Sequence, residues 1–122
     1  MSAKLQESGE MYLETVLVLS KDRAIVRSVD VAERLGFSKP SVSRAMRNLT
    51  DGGYLVIKEG GGIILTESGT AIAEKTYERH RLLTELFVGL GVSREIAAAD
   101  ACKIEHDLSD ETFDAIKKHM ES

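Results

Sequence analysis

One stretch, VAERLGFSKPSVSRAMRNL at residues 31–49, constrains the fold more than any other part of the chain. It contains two short segments with helical apolar spacing, and Gly36 is suited to end the first of them. Ser38 is a good N-cap for the second segment, and Pro40 is tolerated in a first helical turn. The apolar stripe of the second segment consists of Val42, Ala45, Met46 and Leu49. Two short helices joined by a tight turn predict a helix-turn-helix.

A predicted β-hairpin follows this motif. In YLVIKEGGGIILT, residues 54–66, β-forming residues lie on both sides of a glycine triplet. A hairpin placed directly after a helix-turn-helix is a wing. It can rest on the sugar-phosphate backbone while the second helix enters the major groove.

The outward face of the second helix predicts DNA binding. No Asp or Glu occurs between Ser38 and Thr50, although the formal net charge of the chain is −4. Lysine and arginine bind phosphates and guanine edges, and serine is small enough to permit close approach. A merely solvated face is the alternative, but the helix-turn-helix context favours DNA. The residues that we predict to contact DNA are Arg27, Ser38, Lys39, Pro40, Ser41, Ser43, Arg44 and Arg47.

Charge is distributed unevenly along the chain. Residues 1–65 carry 9 Lys and Arg against 8 Asp and Glu, whereas residues 66–122 carry 7 against 12. Only the first part can approach phosphate without an electrostatic penalty. The acidic second part suits a cation site.

Helices are predicted on both sides of the helix-turn-helix and its wing. They cover residues 4–20, a long segment capped by Thr66, residues 92–108 with Ser93 as cap, and a last segment that begins at Ser109. The first helix carries Met11 and Glu14. A methionine usually fills a gap in a core, and a glutamate usually faces solvent. The long helix carries His80, a residue type that is more often a surface residue than a ligand. The apolar surplus of the last helices predicts burial against a second copy of the chain.

A candidate metal motif lies in ADACKIEHDLS, residues 99–109. Cys102, Glu105 and His106 are spaced i, i+3 and i+4, which places them on one face of a helix. A thiolate, a carboxylate and an imidazole at one point can bind a first-row transition metal. The simpler alternative is a surface ion pair beside a buried thiol, and three residues do not complete a site.

Several functional classes are disfavoured. No apolar run approaches the roughly 20 residues needed to span a bilayer, and no signal peptide is visible at the N-terminus. The single cysteine excludes an internal disulfide and suits the reducing cytoplasm, where we expect this protein. A metal-dependent hydrolase with Glu105 as general base would need a recognisable catalytic pattern. The chain has no HExxH-type motif, phosphate loop or nucleophile elbow, so we expect no enzyme and no organic substrate.

These motifs, in this order, resemble the diphtheria toxin repressor family of iron- or manganese-dependent repressors. The resemblance rests on EMYLE, VAERLGFSKPSVSRAMRNL, GGGIILTESG, RHRLL and ACKIEHDLS, and it covers nearly the whole chain. It implies a mainly α fold with a small β-wing. Residues 1–70 would form a winged helix-turn-helix domain, and residues 71–122 a helical metal-binding and dimerisation domain. A homodimer would bind a palindromic DNA operator at metal-uptake genes when Fe²⁺ or Mn²⁺ is bound.

The resemblance also implies a ligand set. Met11, Cys102, Glu105 and His106 match the metal site of the iron-responsive branch, and His80 matches a histidine that binds metal in both branches. Glu14 matches a ligand of the manganese-responsive branch, so the set is a hybrid. Ser38, Pro40 and Ser43 match family positions that contact DNA.

The chain departs from the family pattern at some positions. The ancillary metal site of the iron branch uses a Glu and a His where this chain has Thr84 and Ala98, so that site is expected to be incomplete. His80 and Glu14 could instead form a second metal position. The family's SH3-like third domain is not expected within these 122 residues.

Ligand chemistry bears on the choice of metal. Cys and Met shift preference towards iron, and Co²⁺, Ni²⁺ or Zn²⁺ should substitute in vitro, because affinity follows the Irving–Williams order. A metal-independent winged-helix regulator is the alternative function, with Met11 and Cys102 only in the core.

Overall fold

The computed structural model describes residues 7–122, so residues 4–6 of the first predicted helix lie outside the described part. This part contains six helices and one two-stranded sheet, which confirms the predicted mainly α fold with a small β-wing. In chain order the elements are α1 Glu7–Ser20, α2 Ser28–Leu35, α3 Lys39–Asp51, β1 Leu55–Ile57, β2 Ile63–Leu65, α4 Glu67–Gly89, α5 Arg94–Ile104 and α6 Asp110–Glu121.

The described chain divides into two compact units, one that ends at Glu74 and one that spans Lys75–Ser122. The helix α4 contributes residues to both units. None of the helices within residues 7–122 is long and apolar enough to cross a membrane.

The first unit is a helix-turn-helix whose local signals act as predicted. Gly36 ends α2 in the left-handed conformation with φ of 72°, and its N–H donates to the carbonyl of Ala32 at 2.8 Å. The hydroxyl of Ser38 caps α3 by accepting the N–H of Ser41, and Pro40 lies in the first turn. The stripe of α3 is buried at Val42, Met46 and Leu49. These side chains share one core with Leu13, Val16, Val31 and Leu55.

The wing pairs antiparallel, with Leu55 opposite Leu65 and Ile57 opposite Ile63. Two further contacts attach it to the segment before α2. The N–H of Ile63 donates to the carbonyl of Val26 at 2.7 Å, and Nε of Arg27 donates to the carbonyl of Gly60 at 3.1 Å. The position of the wing relative to the helix-turn-helix is therefore held by hydrogen bonds.

The start of α4 packs closely on the end of the helix-turn-helix. Thr66 caps α4, because its hydroxyl accepts the N–H of Gly69 at 3.2 Å. A Cβ at Gly69 would lie only 1.9 Å from the backbone oxygen of Tyr54. Glycine is required there for the helix to approach the preceding chain.

The second unit contains the rest of α4 together with α5 and α6. Its interior includes Leu83, Ala97, Ala101 and Phe113. Ser93 and Ser109 cap α5 and α6 as predicted, each by accepting a backbone N–H three residues later.

The end of α5 differs from the sequence expectation. The sequence pattern predicts a helix that continues to residue 108, but α5 ends at Ile104 and Glu105 is its C-cap. Turns follow, in which the N–H of Asp107 donates to the carbonyl of Ile104. The reason lies outside the local sequence, because a side chain of α4 binds the carbonyls of Glu105 and Leu108.

Candidate functional site

Three of the predicted metal ligands meet in the second unit. The helix α4 presents His80, and the turn after α5 presents Glu105 and His106. Nδ1 of His80 lies 2.9 Å from Oε2 of Glu105, and Nε2 of His106 lies 3.3 Å from Oε1 of the same carboxylate. The carboxylate is therefore held between two imidazole rings, one of them contributed from a distant part of the chain.

Burial makes this cluster chemically unusual. The side chain of Glu105 is 0% exposed and that of His106 is 4% exposed, whereas the His80 side chain is 29% exposed. A carboxylate removed from water is costly unless hydrogen bonds, an opposite charge or a metal ion compensate it. The cluster thus combines a desolvated carboxylate with an imidazole that solvent can reach.

The donor atoms fit a divalent transition metal. Carboxylate oxygen and imidazole nitrogen are suitable ligands for Fe²⁺ and Mn²⁺, and two histidines with one carboxylate are a known ligand set for Fe²⁺. The tautomers of both rings determine which nitrogen can coordinate. The residues that could hold an ion within this unit are His80, Glu105 and His106.

Cys102 lies on α5, one turn before Glu105, and it is exposed. The unit that ends at Glu74 contains Met11 and Glu14, both half-buried on α1. Met11 packs against the hydrophobic core of that unit, as methionine commonly does.

Thr84 and Ala98 are the positions at which the resemblance predicts an incomplete ancillary site. The hydroxyl of Thr84 donates to the carbonyl of His80 at 2.7 Å, within its own helix. Ala98 has no ligand atom, and both residues line a cavity of about 380 Å³ beside His80. Arg94 also lines this cavity, and it forms an ion pair with Glu85 at 2.8 Å that lowers the pKa of the Glu85 carboxyl.

The predicted DNA-contacting residues share an exposed surface. All seven on or beside α3 are exposed, and Val42, Met46 and Leu49 point into the core from the opposite face. Arg27 is exposed too, and its backbone N–H donates to the carboxylate of Asp30. Its link to Gly60 places this guanidinium at the base of the wing turn.

Sequence patterns did not reveal one residue of this region, Arg79. It is 6% exposed and donates hydrogen bonds to the backbone oxygens of Glu105 and Leu108. An arginine on an amphipathic helix is usually a surface residue. Its position next to His80 was the only available signal, and that signal is weak.

Comparison with known proteins identifies the family of the chain. Residues 4–63 match the model of the iron-dependent repressor N-terminal DNA-binding domain. Residues 66–122 match the model of the iron-dependent repressor metal-binding and dimerisation domain. The first match ends at Ile63, the first residue of β2, and the second begins at Thr66, the residue before α4.

Individual relatives extend this similarity. The transcriptional regulator MntR of Escherichia coli O6:H1 is 37% identical over 115 residues, which are 94% of this chain and 74% of the relative. An HTH-type transcriptional regulator of Methanocaldococcus jannaschii is 31% identical over 119 residues, covering 96% of this chain and 95% of the relative.

A solved structure is also similar. It is a manganese-dependent transcriptional repressor in complex with manganese, with 28% identity and a TM-score of 0.82. The match covers 91% of this chain and 51% of that one. The family models confirm the resemblance seen in the motifs: the chain belongs to the iron-dependent repressor family of metal-dependent, DNA-binding transcriptional regulators.

Proposed function

We propose that this chain is a repressor of metal-homeostasis genes that binds its operator as a homodimer when Fe²⁺ or Mn²⁺ is bound. The observation that carries the proposal is the buried carboxylate of Glu105 between His80 and His106. The family models support DNA binding by residues 4–63 and dimerisation by residues 66–122. We propose a regulator and not an enzyme, in line with the relatives, which are transcriptional regulators.

The proposed ligand set extends beyond the three residues that meet in the second unit. Support for the additional ligands comes from the family resemblance and from the chemistry of their donor atoms. Cys102 is exposed and lies one helical turn before Glu105 on α5. The complete proposed set is Met11, Glu14, His80, Cys102, Glu105 and His106.

The choice between iron and manganese depends on which of these atoms coordinate. Thiolate and thioether sulfur favour iron, whereas a set of oxygen and nitrogen atoms accommodates manganese. The solved relative that was described above is manganese-dependent. We propose that this chain responds to Fe²⁺ or Mn²⁺, with Co²⁺, Ni²⁺ and Zn²⁺ as substitutes in vitro.

The distribution of ligands along the chain suggests the switch. Met11 and Glu14 belong to α1 in the DNA-binding unit, and the other proposed ligands belong to the second unit. Glu14 and Glu105 would help to hold the divalent ion, whose positive charge would offset the repulsion between their carboxylates. Ligands from both units would then fix α1, and with it the spacing of two α3 helices in a dimer. That spacing must match about one turn of DNA, roughly 34–36 Å.

Exposed apolar side chains support dimerisation through the second unit. Leu90 is 73% exposed and Ile96 is 55% exposed, and both lie around the connection between α4 and α5. Large apolar side chains at this exposure are suited to burial in an interface. We propose that a second copy of the chain covers them.

A chelator titration of DNA binding tests the proposed function. The DNA would be a duplex selected by the Mn²⁺-loaded protein from a random-sequence library, so that no operator need be assumed. Metal binding and DNA binding strengthen each other by the same factor, and the coupling is expected to be about 1–3 kcal/mol, or 5- to 150-fold in affinity. Unchanged affinity after complete metal removal would instead identify a metal-independent winged-helix regulator.

A matched pair of variants assigns any loss to the metal. Glu105→Gln removes the buried carboxylate charge, whereas Glu111→Gln removes an exposed carboxylate from the first turn of α6. Only Glu105→Gln should abolish the chelator-sensitive part of DNA binding. Crystals of the loaded dimer, measured at the Mn and Fe absorption edges, would identify both the ion and its ligands.

A further inference from the structure

Arg79 is a buried cation beside the proposed metal centre that the proposed ligand set does not use. It immediately precedes His80 on α4, and its side chain is 7% exposed. An arginine that is removed from water requires protein groups to compensate its charge and its N–H donors. The identity of those groups indicates what the residue does.

The guanidinium binds the connection between α5 and α6 at three points. Nη1 donates to the backbone oxygen of Glu105 at 3.2 Å and to that of Leu108 at 2.7 Å. Nη2 donates to Oδ1 of Asp110 at 2.6 Å. The guanidinium also lies over the ring of Phe113, 5.1 Å from its centroid.

One of these acceptors, the carbonyl of Glu105, belongs to the C-cap of α5, and a helix C-terminus is where a cation is most favourable. The last carbonyls of a helix have no partner within the helix and carry partial negative charge, which a cation stabilises. Asp110 stands in the first turn of α6, where a carboxylate is favoured for the opposite reason. Only a planar guanidinium presents several donors in a fixed arrangement to such a group of acceptors.

We propose that Arg79 is a positioning residue for the metal centre. It holds the backbone on both sides of His106, so that Glu105 and His106 face His80 before an ion is bound. Ligands that are already ordered lose less conformational freedom on binding, and this raises affinity. The proposal rests on the ligand set proposed above, to which Arg79 adds no coordinating atom.

Titration of the metal-free full-length chain with Mn²⁺ tests the role. Arg79→Met removes the donors and keeps an apolar stem, and Arg79→Lys keeps the charge without the planar fork. Changes in groups that orient ligands typically cost 10- to 100-fold in metal affinity. We therefore expect the Mn²⁺ dissociation constant, measured by calorimetry, to rise about 10- to 100-fold in Arg79→Met and by less in Arg79→Lys. Amide hydrogen exchange of residues 105–108 in the metal-free protein should accelerate in the same order.

Lys117→Met is the matched control. Nζ of Lys117 donates to Oε2 of Glu78 at 3.0 Å, and this ion pair joins α6 to α4 one residue before Arg79. Its Mn²⁺ affinity and its exchange rates at residues 105–108 should equal those of the wild type. Equal losses in Lys117→Met and Arg79→Met would show that helix packing in general, and not the clamp on the turn, governs affinity. That result would overturn the proposal.

The remaining outcomes separate this proposal from the proposed function. Wild-type Mn²⁺ affinity in Glu105→Gln would refute the ligand set itself. Loss of Mn²⁺ in Glu105→Gln together with wild-type affinity in Arg79→Met would refute only the positioning role. If Arg79→Met does not fold, Arg79→Lys decides: unchanged affinity and unchanged exchange at residues 105–108 would contradict a requirement for the planar fork.

Discussion

The burial of Glu105 is a property that the sequence does not reveal and the structure does. In the sequence it is one of 20 acidic residues in an acidic chain. In the structure its carboxylate is completely buried, with an imidazole on each side. Arg79 is likewise a residue type that usually lies on a helix surface, but in the structure it is buried and binds the turn after α5. Function at this scale follows from desolvation, which makes each charged contact stronger and each missing partner more costly.

A comparison of Cys102→Ala with Glu14→Ala tests the hybrid ligand set. Cys102→Ala should weaken Fe²⁺ binding more than Glu14→Ala does, because a thiolate is the softer ligand and favours iron. Loss of a direct ligand should reduce metal affinity at least as much as loss of a group that orients a ligand, which typically costs roughly 10- to 100-fold in affinity. Anaerobic titrations with Fe²⁺ and with Mn²⁺ measure the dissociation constant of each ion. Lys103→Ala is the control, because Lys103 is exposed and adjacent to Cys102. Equal losses would point to a binuclear site of the manganese type.

At the scale of elements, the ends of helices determine how the parts meet. Ser38, Ser93 and Ser109 each cap the start of a helix, because each side chain accepts a backbone N–H from three residues later. The start of α4 depends on close backbone approach at Gly69. The turn after α5 depends on Arg79 and on Asp110, which also pairs with Lys75 at 2.9 Å.

Gly69→Ala should destabilise the protein. The added Cβ would lie 1.9 Å from a backbone oxygen, so the chain must shift, and overpacking of this kind costs about 1–3 kcal/mol or more. Gly89→Ala is the control in the same helix, because nothing lies within 4 Å of its Cβ position. It should be neutral or stabilising by up to about 1 kcal/mol. Urea denaturation of both variants measures the difference, and equal effects would refute close packing at Gly69.

The ion pairs of Asp110 with Lys75 and Arg79, at the start of α6, should weaken in acid. Hydrogen bonding and charge from Lys75, and then from Arg79, hold the pKa of the Asp110 carboxyl below its usual value of 3.8. A carboxyl whose folded pKa is lowered contributes stability above its unfolded pKa, and that contribution is lost as pH falls through the folded pKa. The stability difference between wild type and Asp110→Asn should therefore be constant near neutral pH and shrink below about pH 4. Denaturation at several pH values measures it; a difference that grows in acid would contradict the pairing.

At the scale of the whole molecule, charge is distributed differently between the part proposed to bind DNA and the part proposed to bind metal. A net charge of −4 would repel DNA if it were spread evenly, but residues 38–50, where most of the predicted DNA contacts lie, include no Asp or Glu. The acidic residues are concentrated in the part that matches the metal-binding and dimerisation domain. A locally positive surface on an acidic protein permits DNA binding while limiting non-specific attraction.

The salt dependence of DNA binding tests this separation. Each phosphate contact that is lost should reduce the slope of log affinity against log salt concentration by about 1. We expect this for Lys39→Ala, Arg44→Ala and Arg47→Ala when Mn²⁺ is saturating. Lys118→Ala, in the last turn of α6, is the control and should leave the slope unchanged. Equal slopes in all four variants would exclude α3 as the surface that meets the phosphates.

The sequence by itself determined most of the local structure. Apolar spacing, serine caps, Gly36 and the glycine triplet of the wing act within a few residues of one another, so helices, turn and hairpin could be predicted from short patterns. Family membership could be recognised for the same reason, because its motifs are short and ordered along the chain. The same motifs predict His80, Glu105 and His106 as ligands.

Only the tertiary structure decided what depends on distant residues. The end of α5 at Ile104, the burial of Glu105 and the clamp by Arg79 all involve contacts between positions 25 or more residues apart. The helical pattern of the sequence continues through residue 108. It contains no sign that the buried guanidinium of Arg79 donates hydrogen bonds to the carbonyls of Glu105 and Leu108. Desolvation and long-range hydrogen bonds are properties of the folded arrangement, and they make the region around Glu105 a candidate metal centre.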